Sequence, residues 1–224
     1  MELKFIETLQ SFEEYRKKQT IETCKTIALS RLRLETDEWV KVDNVACVFV
    51  DLENSTKFAI NLTQENMQFF AWYWDTLARI FSYYETKYID FQGDGGFALF
   101  DSKNSLKNAF YCAVTINHFF NHRHKREVRI GIDIGTIYAK KVGVRGNNKE
   151  IWLGNPVSIA SKLCNDKSVY LGNMRISSRF YKELLNSQEI KARDIKELQE
   201  GLKEWVENDR LGKFYHHGDF LWGE

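Results

Sequence analysis

Six apolar residues in succession, Val45-Ala46-Cys47-Val48-Phe49-Val50, stop at Asp51. A run this short and this rich in valine predicts a buried strand. A strand buried on both faces needs cover above and below, so the chain must fold as layers of helix and sheet. The rest of the sequence supplies those layers. Thr63 can cap a helix that runs to about Tyr84. Residues 87–91 and 97–100 flank Gly93-Asp94-Gly95-Gly96 and predict a hairpin. Ser102 or Ser105 opens a second helix that ends near His122. Residues 128–134 and 137–144 are expected as two strands joined at Gly135. Then come a short helix over 155–165, a strand over 169–171, and a helix capped by Ser177 that runs through Leu185. The order β-α-β-β-α-β, then β-α-β, is the split βαβ or ferredoxin-like arrangement. The expected class is α+β, with a central mixed, mainly antiparallel sheet flanked by helices.

Outside this core the signals are weaker. Residues 7–34 predict a mixed-charge helix, so 1–41 is expected to be an N-terminal helical extension to a domain spanning 42–190. Residues 191–209 are charge-rich and predict a solvated helix, and 215–222 a closing strand, both packed on the same domain. The helix after Thr63 carries Phe69, Phe70, Trp72, Tyr73, Trp74, Tyr83 and Tyr84 on more than one face. Its second apolar face is expected to meet a dimer partner or the N-terminal helix.

Charge narrows the partners. With 32 basic and 31 acidic residues in 224, the chain has no excess to coat a nucleic acid. No apolar stretch approaches the ~20 residues of a membrane span. The N-terminus has no apolar signal core, and the four cysteines form no C-x-x-C pair. These features predict a soluble protein of a reducing cytoplasm, with Cys47 and Cys112 as buried thiols.

Two carboxylates carry the chemistry. Asp51 ends the buried strand and Asp94 sits in the glycine-bearing turn. A β-α-β-β order puts the first strand beside the hairpin, which brings the two together. Carboxylates so placed suit two divalent ions ~3.5–4 Å apart, which stabilise both the attacking and the leaving oxygen of a phosphoryl displacement. Gly93, Gly95 and Gly96 are expected to leave the turn open to a phosphate or an ion. Glu53-Asn54-Ser55-Thr56 follows the strand, and Asn54, Ser55 and Thr56 are expected to cradle phosphate oxygens where a helix begins. His118, His122 and His124 have a spacing that can bind zinc, but nothing in the sequence completes a site. A solvated helix end suits them better.

Asp51, the Gln92-Gly93-Asp94-Gly95-Gly96 turn, Arg129-Ile130-Gly131-Ile132-Asp133-Ile134-Gly135 and the segment from Gly154 to Lys162 occur in this order and at these intervals. Together they resemble the class III nucleotidyl cyclase catalytic domain, over roughly residues 42–186. The resemblance implies a nucleoside triphosphate substrate and two ions, Mn2+ or Mg2+, held by Asp51, Asp94 and the main-chain carbonyl of Leu52. It also implies a homodimer whose sites are shared between protomers. Purine cyclases carry an Asn and an Arg four residues apart on the helix after the last core strand. The matching positions here are Ser158 and Lys162, on one helix face, where serine can bond a ribose oxygen and lysine can supply charge. Where adenylate cyclases read the base with a lysine, this chain has Asp90. The second base-reading region is Lys149-Glu150-Ile151-Trp152-Leu153, in which bulky Trp152 would limit the space for a purine. The first-motif and helix patterns resemble the pyrimidine cyclases of bacterial Pycsar antiphage systems. That implies cyclic UMP as product, then cyclic CMP, then a purine product, with a separate cyclic-nucleotide-binding effector. A diguanylate cyclase is the rival enzyme suggested by Gly93-Asp94-Gly95-Gly96-Phe97. A degenerate domain that only binds nucleotide is the rival from another class.

Overall fold

The computed structural model describes residues 18–34, 36–55, 60, 63–101, 103–165, 172–201, 205–208 and 212–217. It is built on one nine-stranded sheet. In chain order the strands are β1 (Thr20–Cys24), β2 (Glu38–Leu52), β3 (Tyr88–Gln92), β4 (Gly95–Phe100), β5 (Val128–Val144), β6 (Asn147–Gly154), β7 (Met174–Ser177), β8 (Trp205–Asn208) and β9 (Gly212–His217). The helices are α1 (Gln64–Tyr83), α2 (Ser105–Ile116), α3 (Asn155–Asn165), α4 (Ser178–Asn186) and α5 (Ala192–Gly201). The sheet order is β3-β4-β2-β5-β7-β9-β8, with β1 on β2 and β6 on β5. Only the β1–β2 and β5–β7 pairs are parallel. The mixed, mainly antiparallel α+β layering expected from the sequence is therefore present. No helix among the described residues is long and apolar enough to cross a membrane.

Alternation along the strands separates two cores. Ala46, Val48 and Val50 of β2 and Ile130, Ile132 and Ile134 of β5 face α1, α2 and α4, where Leu77, Phe81, Phe110 and Phe180 are buried. Val45, Cys47 and Phe49 face the other way, towards Ala160 and Cys164 of α3 and Leu32 of the N-terminal segment. Each fully buried Leu or Phe contributes about 1.5–3 kcal/mol, so both faces of β2 hold the domain together.

Several local expectations are met. Thr63 caps α1 by accepting the Asn66 N–H, and Ser177 caps α4 by accepting that of Phe180. The hairpin turns at Gly93, with φ +63°. Cys47 and Cys112 are buried free thiols.

Other expectations are corrected. Residues 20–24 form a strand, not part of a helix, because they pair in register with 38–42 of β2; residues 1–17 lie outside the described residues. The Lys140 ammonium, buried in β5, pins this segment through Gln19 and the Thr36 carbonyl, and the Asp101 carboxylate accepts the Ile27 N–H. Residues 128–144 are one strand, not two. The irregularity lies opposite, in β2, where the register shifts between Val42 and Val45 and Asn44 has φ +57°. The 169–171 strand lies outside the described residues, and the strand found is Met174–Ser177. The charge-rich helix ends at Gly201, and β8 occupies 205–208. Of the closing strand, 212–217 is present and 218–222 is outside the description. Among the described residues, part of the second face of α1 is covered by the chain that follows α2. Trp72 packs on Phe119, Phe120 and His124, and Arg126 lies 4.6 Å over the Phe69 ring.

Phe119 and Phe120 belong to a π-helical extension of α2, Asn117–Arg123. It has a positioning consequence. Buried Asn117 accepts from Asn121, and Asn121 bonds both the N–H and the C=O of Val128. The start of β5 is thereby fixed in place beside the end of β2.

α3 lies against the sheet at Gly131. A Cβ there would come within 2.0 Å of the Ala160 carbonyl oxygen and 2.8 Å of the Cys164 nitrogen. Both are backbone atoms, so the helix itself would have to move. Gly131→Ala is expected to lower unfolding free energy by about 3 kcal/mol, the upper end of the usual overpacking cost, measured by urea denaturation. A loss below about 1 kcal/mol would show that α3 sits loosely on the sheet.

Candidate active site

Asp51 is the penultimate residue of β2, and its neighbours across the ladders are Gly95 of β4 and Arg129 of β5. A Cβ on Gly95 would meet the Val50 carbonyl at 2.9 Å and Asp51 Oδ1 at 3.2 Å. That glycine is required by the approach of Asp51, so it does not open the turn to a ligand as the sequence suggested. Gly93 does have open space around it. Asp94 follows, and its carboxylate accepts a hydrogen bond from the Ser55 hydroxyl.

Ser55 is buried, and it follows a turn in which Asn54 takes φ +59°. Asparagine tolerates that left-handed conformation better than most residues. It turns the chain at once after β2 and swings Ser55 under Asp94. The expected phosphate cradle is thus tied to the second carboxylate by one of its own hydroxyls. Asn54 is exposed, and Thr56 lies outside the described residues. The Leu52 side chain is buried in the core, so only its main chain can face the site.

Arg129 was not singled out by the sequence reading. Its Nη2 lies 2.7 Å from Asp51 Oδ2 and its Nε 3.4 Å from Glu53 Oε1, with the guanidinium nearly buried. Burial pushes the Asp51 carboxyl up from its ordinary range, and repulsion from Asp94 adds to this. The Arg129 hydrogen bond and charge pull it back down. The pair is therefore short of positive charge. Two carboxylates with a main-chain carbonyl are hard oxygen donors of the type Mg2+ and Mn2+ take, and a cation would relieve their repulsion. The donor set fits. It is not a closed cage, since no three His, Cys, Asp or Glu side chains among the described residues converge to hold an ion. Water or phosphate oxygens would complete the coordination. Among the histidines at the end of the α2 extension, His124 packs its ring on Phe119 and Trp72.

The remaining candidates lie apart. Ser158 and Lys162 are exposed on α3, opposite its buried Pro156, Ala160, Leu163 and Cys164. Neither touches Asp51 or Asp94 among the contacts of the described residues. Asp90, on β3, pairs with Lys149 of β6 at 2.9 Å. Trp152 is buried with its ring 4.4 Å from that of Tyr88. It is a floor beneath the Asp90 region and offers a nucleotide little surface to touch.

The fold has solved relatives. The adenylyl cyclase CyaB from P. aeruginosa superposes with a TM-score of 0.62 at 16% identity, covering 81% of this chain and 96% of that one. At the sequence level the chain is similar to a uridylate cyclase from Propioniciclava tarda, 28% identical over 143 residues. It is also similar to a uridylate cyclase from Micromonospora echinofusca, 26% identical over 161 residues. The alignments take in 57% and 65% of this chain and 46% and 53% of those proteins, so the chain spans about half the length of these curated relatives. The model of the adenylate and guanylate cyclase catalytic domain matches residues 38–208. That span runs from the first residue of β2 to the last of β8 and contains every candidate residue above, so this chain belongs to the adenylate and guanylate cyclase catalytic domain family.

Proposed function

We propose that this protein is a nucleoside triphosphate cyclase that closes UTP to 3′,5′-cyclic UMP and pyrophosphate. The observation that carries the reading is the juxtaposition of Asp51 and Asp94 in a family of cyclases. The names of two relatives and a carboxylate at position 90 support the pyrimidine. Cyclic CMP is the next product in line. The product would serve as a second messenger in antiphage defence, read by a separate effector.

Asp51, Asp94 and the Leu52 carbonyl would hold two divalent ions, Mn2+ or Mg2+, which when bound offset charge on the attacking 3′-oxygen and the leaving pyrophosphate. Arg129 keeps Asp51 oriented and keeps Asp51 and Glu53 from repelling one another unopposed. Asn54, Ser55 and Thr56 would cradle the triphosphate, and the Ser55 hydroxyl holds Asp94 at the same point. Positioning and electrostatics of this kind supply most of the catalysis in phosphoryl transfer. Ser158 would bond the ribose and Lys162 would face the α-phosphate. Because both project outward from α3, they are assigned to the site of a partner protomer. The homodimer then has two shared sites, and a lone protomer is inactive.

A nucleotide-binding domain without turnover is the second reading. It is favoured by Ser158 and Lys162, which stand where purine cyclases have Asn and Arg. Incubating the protein with each of the four triphosphates and Mn2+, then identifying products by mass spectrometry, separates the two. Cyclic UMP is the expected major product, and bound but unconverted nucleotide would establish the second reading.

Asp51→Ala and Asp94→Ala should each cut cyclic nucleotide yield by at least about 10²–10³-fold, the scale of losing one preorganised electrostatic group. The circular dichroism spectrum should be unchanged, and full activity in either variant would remove the two-carboxylate site. Mixing Asp51→Ala with Lys162→Ala protein should restore activity through one intact hybrid site. No recovery in subunits shown to exchange would assign both residues to one protomer. Arg129→Met leaves Asp51 and Glu53 uncompensated in a largely buried place. It should cost about 3–5 kcal/mol in urea unfolding, as breaking a buried ion pair does; a neutral result would show that the pair holds nothing in place.

A further inference from the structure

Polar groups also converge at the other end of the β2–β5 ladder. Gly135 lies opposite Val45, and Asp51 is six residues further along β2, about 20 Å away at the rise of a strand. Around Gly135 a pocket of about 490 Å3 opens between β2, β5, α4 and the start of α3. That volume is within the usual range for small organic ligands. Its polar lining is Asn44, Thr136, Tyr138, Asn155, Arg179 and Glu183. Arg179 is the anchor. Its Nε and Nη2 both donate to the carboxylate of Asp133, whose side chain is wholly buried. The guanidinium carbon is thereby held 3.6 Å from the point that a Cβ on Gly135 would occupy. Nη1 keeps both N–H groups and Nη2 keeps one, so a two-pronged edge stays unspent on a side chain already fixed in place. Glu183 follows at i+4 on α4, a spacing at which arginine and glutamate often pair. Here the Arg179 head is drawn inwards to Asp133, and Glu183 has no ion pair among the described residues. The side chains of Tyr138 and Asn155 have no hydrogen-bond partner among the described residues either.

We propose that this pocket binds a cyclic nucleotide, the product of the same enzyme, as a regulatory ligand. This rests on the cyclase reading above. The ligand class follows from charge and from the donors present. A cyclic phosphodiester carries one negative charge and has two free oxygens, which match the two prongs of the Arg179 edge. Asp133 already balances Arg179, so Glu183 leaves the pocket with an excess negative charge, and no lysine is in the lining to offset it. A monoester or a triphosphate would add to that excess. An ionised Glu183 only accepts hydrogen bonds, and a ribose 2′-hydroxyl can donate one. The amides of Asn44 and Asn155 each offer donor and acceptor, as the edge of a pyrimidine does. The occupant would touch Asn155, the first residue of α3, the helix that carries Ser158 and Lys162. It would also touch Asn44, which lies at the register shift in β2. Its effect would reach the reaction through these elements and not by blocking the substrate.

The test is equilibrium binding of radiolabelled cyclic UMP to the full chain with divalent ions chelated. Cyclic UMP should bind saturably without metal, and Asp51→Ala should bind it as the wild type does. Arg179→Lys keeps Asp133 paired but loses the two-pronged edge, and Glu183→Ala removes an exposed acceptor. Each should weaken binding about tenfold or more, as expected for a lost hydrogen bond to a charged group. UMP, with its second phosphate charge, should bind at least about tenfold more weakly than cyclic UMP, since like charges placed together are costly. The melting temperature of Glu183→Ala should equal that of the wild type, which separates lost binding from lost fold. In turnover of UTP with Mn2+, added cyclic UMP should change kcat and leave KM as it was, and Glu183→Ala should remove that effect. Three results would each overturn the proposal: no saturable binding without metal, binding lost in Asp51→Ala but kept in both pocket variants, or tighter binding of UMP. Failure of the cyclase reading would show separately, as no cyclic nucleotide from any triphosphate, and would remove the product as ligand whatever the pocket binds.

Discussion

The antiparallel ladder between β2 and β5 is the constraint on which the rest depends. Both strands are long, and their pairing sets Asp51 opposite Arg129 and Val50 opposite Ile130. A slip of one residue would turn Asp51 towards α1 and bury its carboxylate among Val50, Leu52 and Ile130. The alternating apolar faces forbid that slip, since each is committed to its own core. The register is held at one end by the Asn121 clamp on Val128 and at the other by the bulge at Asn44. Packing thus supplies the precision that a charged site cannot supply for itself.

Charge explains why the site looks as it does. Asp51, Asp94 and Glu53 crowd the end of β2, and Arg129 is the cation ion-paired there. One guanidinium does not balance three carboxylates. Burial first, and repulsion from Asp94 next, push the Asp51 carboxyl up, and a further positive charge beside it would offset both. The Ser55–Asp94 bond joins the turn after β2 to the turn between β3 and β4. The two halves of the site are therefore tied to one another.

Much of this was legible in the residues. The run ending at Asp51, the caps at Thr63 and Ser177 and the glycine turn at 93 each carry a local signal, and local signals survive folding. What escaped was set by distance. Thr20–Cys24 is polar and charged enough to suggest a helix; only pairing with 38–42 makes it a strand. Gly135 suggested a break, yet the irregularity is one extra residue in β2. Lys149 and Asp90 are far apart in sequence and meet only because β6 folds back over β3, where Trp152 packs on Tyr88. Arg129 was in plain view within its motif, but its partnership with Asp51 depends on strand register.

The central claim is that Asp51 and Asp94 form one cation site. Anomalous diffraction from crystals grown with Mn2+ and a non-cyclisable UTP analogue tests it most directly. The account predicts manganese peaks between the two carboxylates, with Lys162 of the facing protomer turned towards the α-phosphate. Nucleotide bound elsewhere, or bound with no manganese at Asp51 and Asp94, would contradict it.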